Sequence, residues 1–72
     1  MKLVFENVGR GQWNGSIDIP DNSTPNQVAE FAYREARRHL ITRFPMLTYD
    51  ANANEGVITA GFHNAGKFHT QK

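Results

Sequence analysis

Four arginines are the residues whose type and spacing most readily suggest chemistry: Arg34, Arg37 and Arg38 fall within five positions and Arg43 follows shortly after. Guanidinium groups match the planar geometry of phosphate and carboxylate, so such a cluster suits a nucleic-acid backbone or an acidic protein patch. The same residues also have a local reading. Cations near a helix C-terminus complement its dipole, and Glu30 stands four positions before Arg34, the spacing of a helical ion pair. A fifth arginine, Arg10, lies in Gly9-Arg10-Gly11-Gln12-Trp13, a cation and an aromatic around a permissive turn, the grouping that can stack a base and hold its phosphate. Against that use, Trp13 alternates with Ile17 and Ile19 and therefore belongs to an apolar face. Arg34, Arg37, Arg38, Arg43 and Arg10 together form the candidate partner-binding set.

Other chemistries find little support. His39, His63 and His69 lack the three- or four-residue spacing that presents two imidazoles to one metal, and the chain has no cysteine. His63 and His69 are expected as neighbours across a final hairpin, with a pH-sensitive contact a better use for them than metal binding. No Ser or Thr sits in a nucleophile elbow, so no catalytic triad can be nominated. Asp18 and Asp21 straddle a strand end, where capping or turn formation accounts for them better than proton transfer, which needs a walled cleft. Gly9 and Gly11 lack the third glycine and the helix of a dinucleotide fingerprint, and there is no Walker lysine. Asn22-Ser23-Thr24 matches the glycosylation sequon, which is inert in a chain that is not exported. No cofactor, no metal and no catalytic residue is expected.

The elements that must position these groups can be read from periodicity. Residues 2 to 8 alternate, with Leu3 and Phe5 on one side and Lys2, Val4, Glu6 and Val8 on the other, which predicts a first strand. After the glycine turn, Trp13, Gly15, Ile17 and Ile19 alternate with Asn14, Ser16 and Asp18. This clean period of two predicts a second strand, paired with the first as a hairpin and wet on one face. Pro20-Asp21-Asn22-Ser23 breaks the pattern, and Thr24-Pro25-Asn26-Gln27 has a capping hydroxyl, a proline at the first helical position and a glutamine able to close a capping box. The helix is predicted to run to about Ile41, with Val28, Ala29, Ala32, Tyr33, Ala36 and Leu40 in one stripe and Phe31 beside it. Its alanines predict close approach to a sheet. Residues 46 to 50 predict a strand, 50 to 56 a loop, Val57 to Phe62 another strand, and Asn64-Ala65-Gly66 a tight turn into a short, fraying strand over 67 to 70.

The order is ββαββ with one further β: an α+β fold of one domain over residues 1–72, an antiparallel sheet of four to five strands with one helix packed on one face. No repeat, linker or low-complexity tract interrupts it. Of 28 hydrophobic residues in 72, seven are alanine, leaving 21 side chains to build an interior without disulfides. Charge is low overall, at +1, which excludes a strongly basic nucleic-acid binder and an acidic DNA mimic as overall types. It is also uneven. Residues 1 to 33 carry two cations against four anions, whereas 34 to 72 carry six against three. The first seven residues meet a charge too early for an export signal, and no 18 apolar residues run together, so a soluble, cytoplasmic chain that does not enter a membrane is expected.

The passage from Ser16 to Leu40, a strand ending Ile-Asp-Ile-Pro-Asp followed by a capped helix, resembles the strand-to-helix passage of ubiquitin-like β-grasp domains. The likeness spans about a third of the chain. It implies no activity, since the chain ends Phe68-His69-Thr70-Gln71-Lys72 in place of the di-glycine that ubiquitin and sulfur-carrier members use. Size, absence of cysteine and absence of catalytic signatures are similar to those of small accessory proteins of bacteriophages and mobile elements, including inhibitors of host defence. The expectation is a non-enzymatic protein-interaction module, an inhibitor or adaptor acting through a sheet face, an edge strand or the arginine-bearing helix face. Pairing of two copies through an edge strand would enlarge the thin core. The alternative is a nucleic-acid-binding domain that uses Arg34, Arg37, Arg38 and Arg43 for phosphates.

Overall fold

The computed structural model describes residues 1–40, 45–60 and 63–71. The expected helix end at Ile41, the strand end at Phe62 and the site residue Arg43 lie outside the described residues. Six elements follow one another: β1 (Lys2–Val8), β2 (Trp13–Asp18), α1 (Pro25–Arg37), β3 (Met46–Asp50), β4 (Glu55–Ala60) and β5 (His63–Gln71). The strands form one antiparallel sheet in the order β2-β1-β5-β4-β3, and α1 packs across it with its approaches to β3 and β1. The α+β reading and the ββαβββ order hold. No helix among the described residues is long and apolar enough to cross a membrane.

The helix begins where its sequence dictates. Thr24 Oγ1 accepts the Gln27 N–H at 3.2 Å and Gln27 Oε1 accepts the Thr24 N–H at 2.9 Å, a complete capping box with Pro25 just inside it. We expect Thr24→Ala to remove about 1 kcal/mol of stability, read as a fall in melting temperature of several degrees with no change in the folded spectrum. A melting temperature equal to that of the parent would show that the cap contributes nothing. At the other end the regular helix stops at Arg37, short of the expected end near Ile41, and the Arg38 and His39 N–H groups bond the Glu35 and Ala36 carbonyls at 3.1 and 3.0 Å. That tightened turn uses carbonyls that a helix end leaves free.

Val28, Ala32 and Ala36, four apart, are the buried helix residues, the two alanines fully covered. They meet Leu3, Phe5, Val8, Ile19, Ile58 and Phe68 from the sheet side in one core. Phe31, Leu40, Leu47, Tyr49, Trp13 and Ile17 pack around it, half-buried.

Three strand assignments differ from expectation, each for a physical reason. Val8 is buried with Leu3 and Phe5 and does not share the Val4 side. The β1–β2 register shifts between Phe5 and Val8, where Asn7 takes φ 55°, and an extra residue in a strand inverts the alternation beyond it. β4 starts at Glu55, so Gly56 is a buried strand residue and not part of a loop: the Phe68 ring covers the space its side chain would fill. Most consequentially, β5 is neither short nor a frayed end. Its nine residues pair with β1 on one side and β4 on the other. Asn64-Ala65-Gly66 lies within this strand, at a register shift, with the Gly66 N–H donating to Asn64 Oδ1 at 2.9 Å. The same turn-favouring residues serve a bulge as well as a turn.

Candidate interaction surface

The helix arginines occupy the outward face, and each engages a neighbour on its own helix. Arg34 Nη2 lies 3.1 Å from Glu30 Oε1, Arg38 Nη1 lies 3.6 Å from Glu35 Oε2, and the Arg37 guanidinium stands 5.6 Å from the centre of the Tyr33 ring. With the Arg34 and Arg38 side chains 70% and 77% exposed, each pair contributes only about 0.3–0.5 kcal/mol. These are the local contacts that helix spacing allows.

Arg10 is exposed on the β1–β2 turn, on the rim of a hollow of about 470 Å³ that Leu40, Ala60 and His63 also line. The structure therefore brings Arg10 toward the helix C-terminal end, but not into a stacking partnership with Trp13. The indole is taken by His39 instead: the two rings stack at 3.7 Å with an interplanar angle of 8°, and Phe5 stands 5.3 Å away on the core side. Trp13 is half-buried against the core, as its alternation with Ile17 requires.

His63 and His69 are not neighbours across a hairpin, because both lie on β5. His63 faces Ala60, while His69 sits between Val4 of β1 and Glu55 of β4. Among the described residues no three His, Asp or Glu side chains gather as a metal-holding group. Asp18 faces Lys2 across β1–β2, and Asp21 meets the Met1 amino group beyond the strand end.

The face of the sheet opposite α1 gathers residues that sequence reasoning did not nominate. One cross-strand row runs Ser16, Val4, His69, Glu55, Asp50, and the next runs Glu6, Lys67, Val57, Thr48. Glu6, Lys67, His69, Glu55, Asp50 and Thr48 from these rows line a shallow concavity of about 310 Å³. On its β1 side Glu6 is paired with Lys67 Nζ at 3.4 Å, and His69 Nδ1 stands 3.9 Å from the same carboxylate. On its β3 side, Asp50 and Glu55 stand directly opposite each other, and among the described residues neither forms an ion pair. Asp50 Oδ1 accepts the Asn52 N–H of its own turn, at 3.0 Å. Two apolar residues remain in water here, Met46 at 71% exposure and Val57 at 42%.

A signal for this surface was present in the chain. Alternation over Met46–Asp50 and over Glu55–Ala60, joined by a four-residue polar loop, puts Asp50 and Glu55 on one face once the hairpin is drawn. The pairing of Glu6 with Lys67 had none, because it depends on β5 lying beside β1. Comparison with protein-family models, with curated proteins and with solved structures finds no match.

Proposed function

We propose that the chain is a small non-enzymatic protein-interaction module, an adaptor or inhibitor, that binds its partner through the uncovered face of the sheet and the adjoining β3 edge. The observation that carries this reading is the one-sided sheet. α1 covers one face, while the other leaves Met46 and Val57 in water beside charged groups and a shallow hollow. Apolar anchors with a polar rim are the anatomy of a protein interface. The hollow is too open to desolvate a reacting group, as general acid–base chemistry demands. The helix arginines are weaker candidates, for phosphate as for protein, because Glu30 and Glu35 stand among them and lower the positive charge of that surface.

Affinity capture with paired variants tests the reading. The captured protein should be lost with Thr48→Lys/Val57→Lys on the sheet face and retained with Arg34→Ala/Arg37→Ala/Arg38→Ala on the helix. The converse pattern overturns it. Binding to oligonucleotides that falls steeply with salt and flattens in the triple arginine variant would put a nucleic acid in the partner's place.

A further inference from the structure

Building on the sheet-face reading above, we infer that the partner contributes a basic extended segment, which adds as a sixth strand along β3 and lays an arginine or lysine side chain over Asp50 and Glu55. β3 is the edge of the sheet, paired among the described residues with β4 alone. Its outward backbone N–H and C=O groups are a template for another strand. Met46-Leu47-Thr48-Tyr49-Asp50 contains none of the lysine, proline or glycine that commonly blunts such an edge.

Charge specifies what the added strand must bring. Directly opposed residues in an antiparallel pair have Cβ atoms about 4.5–5.5 Å apart, so the Asp50 and Glu55 carboxylates repel within this hairpin. Glu6, across the same hollow, has Lys67 beside it, whereas these two have no cation within ion-pair distance among the described residues. A residue on the added strand opposite Asp50 would share its face, one strand spacing of about 4.8 Å away. From there a guanidinium reaches across Asp50 toward Glu55 and can engage both carboxylates through its fork of donors. With the added strand antiparallel to β3, the side chain four residues further along the segment falls opposite Met46, the most exposed large apolar residue among those described, and should itself be apolar. The segment therefore reads basic-x-x-x-apolar in β conformation.

A second copy of the chain fits this edge poorly. β3 carries no cation, so antiparallel self-pairing that keeps Asp50 opposite β3 leaves it facing Met46, Thr48 or another Asp50 and the carboxylates unmatched.

Titration of the isotopically labelled full chain by NMR, at low salt, tests the inference with two capped nine-residue peptides. Both alternate threonine and valine and carry a leucine four residues after the variable position, which is arginine in one and glutamate in the other. The arginine peptide should bind about five- to tenfold more tightly, as expected for two partly exposed charge pairs, and should shift the amides of β3 and β4. Asp50→Asn/Glu55→Gln should abolish that preference while leaving the melting temperature unchanged or higher. Equal affinity for the two peptides, shifts centred on α1 or β2, or no binding at millimolar peptide each overturns the inference, as does a dimer by light scattering that only β3 variants dissociate. If the peptides fail while Thr48→Lys/Val57→Lys still releases the captured partner, this inference falls alone. If the helix arginine variants release it, the sheet-face reading falls with it.

Discussion

Phe68→Ala is expected to leave the chain close to unfolded. The ring is 1% exposed and ties three strands together: from β5 it lies over Gly56 of β4, stacks on Tyr49 of β3 at 5.8 Å, and stands 6.1 Å from Phe5 of β1 on the other side. Removing a buried phenylalanine costs about 3–5 kcal/mol, because the lost transfer energy is joined by the cavity left behind. Gly56 has no side chain with which to fill that space. A chain of 72 residues has roughly 4–11 kcal/mol of total stability at the usual 0.05–0.15 kcal/mol per residue, so the loss takes most of it. In urea the midpoint should fall by about 2–3 M, or the transition should lose its cooperativity. A shift under about 1 M would mean that the ring is not the keystone of the sheet.

Gly9→Ala should cost about 3 kcal/mol, and the reason is long-range. Gly9 holds φ 76°, a conformation that disfavours any side chain, and a methyl group there would overlap the His39 carbonyl oxygen. That oxygen is backbone at the end of α1 and has no rotamer to retreat to. The Gly9 N–H is also engaged, donating to the Ala65 carbonyl at 2.8 Å, so the turn is fixed to β5 as well. Relieving the overlap must displace His39, and with it the imidazole stacked on Trp13. The substitution should therefore alter the fluorescence of the single tryptophan together with the melting temperature. Gly11→Ala, two residues on, is the control. Nothing lies within 4 Å of its side-chain position, and its effect should stay within about 0.5 kcal/mol. Equal effects at the two positions would refute the close packing of turn against helix end.

Thr24-Pro25-Asn26-Gln27, the alternation from Trp13 to Asp18 and the four-residue spacing of Val28, Ala32 and Ala36 were legible in the sequence. Each is a pattern over residues a few positions apart, so it can be read without knowing which distant segment will cover it. The outward arginines were legible too, and so was the Glu30–Arg34 pair, because both follow from helical spacing. Their prominence as a candidate binding set came from concentration along the chain, which does not reveal whether neighbours already occupy them.

What only the tertiary structure decided lies at long range. The central position of β5 brings Lys67 to Glu6 and Phe68 to Phe5, partners some sixty residues apart, and strand order depends on the total burial that each arrangement allows. The face of Val8 turned on a bulge, and the end of α1 coincides with His39 meeting Gly9 and Trp13. The acidic pair at the β3 edge became a surface only when the helix, through its small buried alanines, took the opposite face. Short-range spacing thus determined the helix with its inward face and the succession of strands around it. The competition among whole-chain packings determined which strand is central, which edge is free and which charges are left without a partner among the described residues, because those energies are shared among segments that no local window contains.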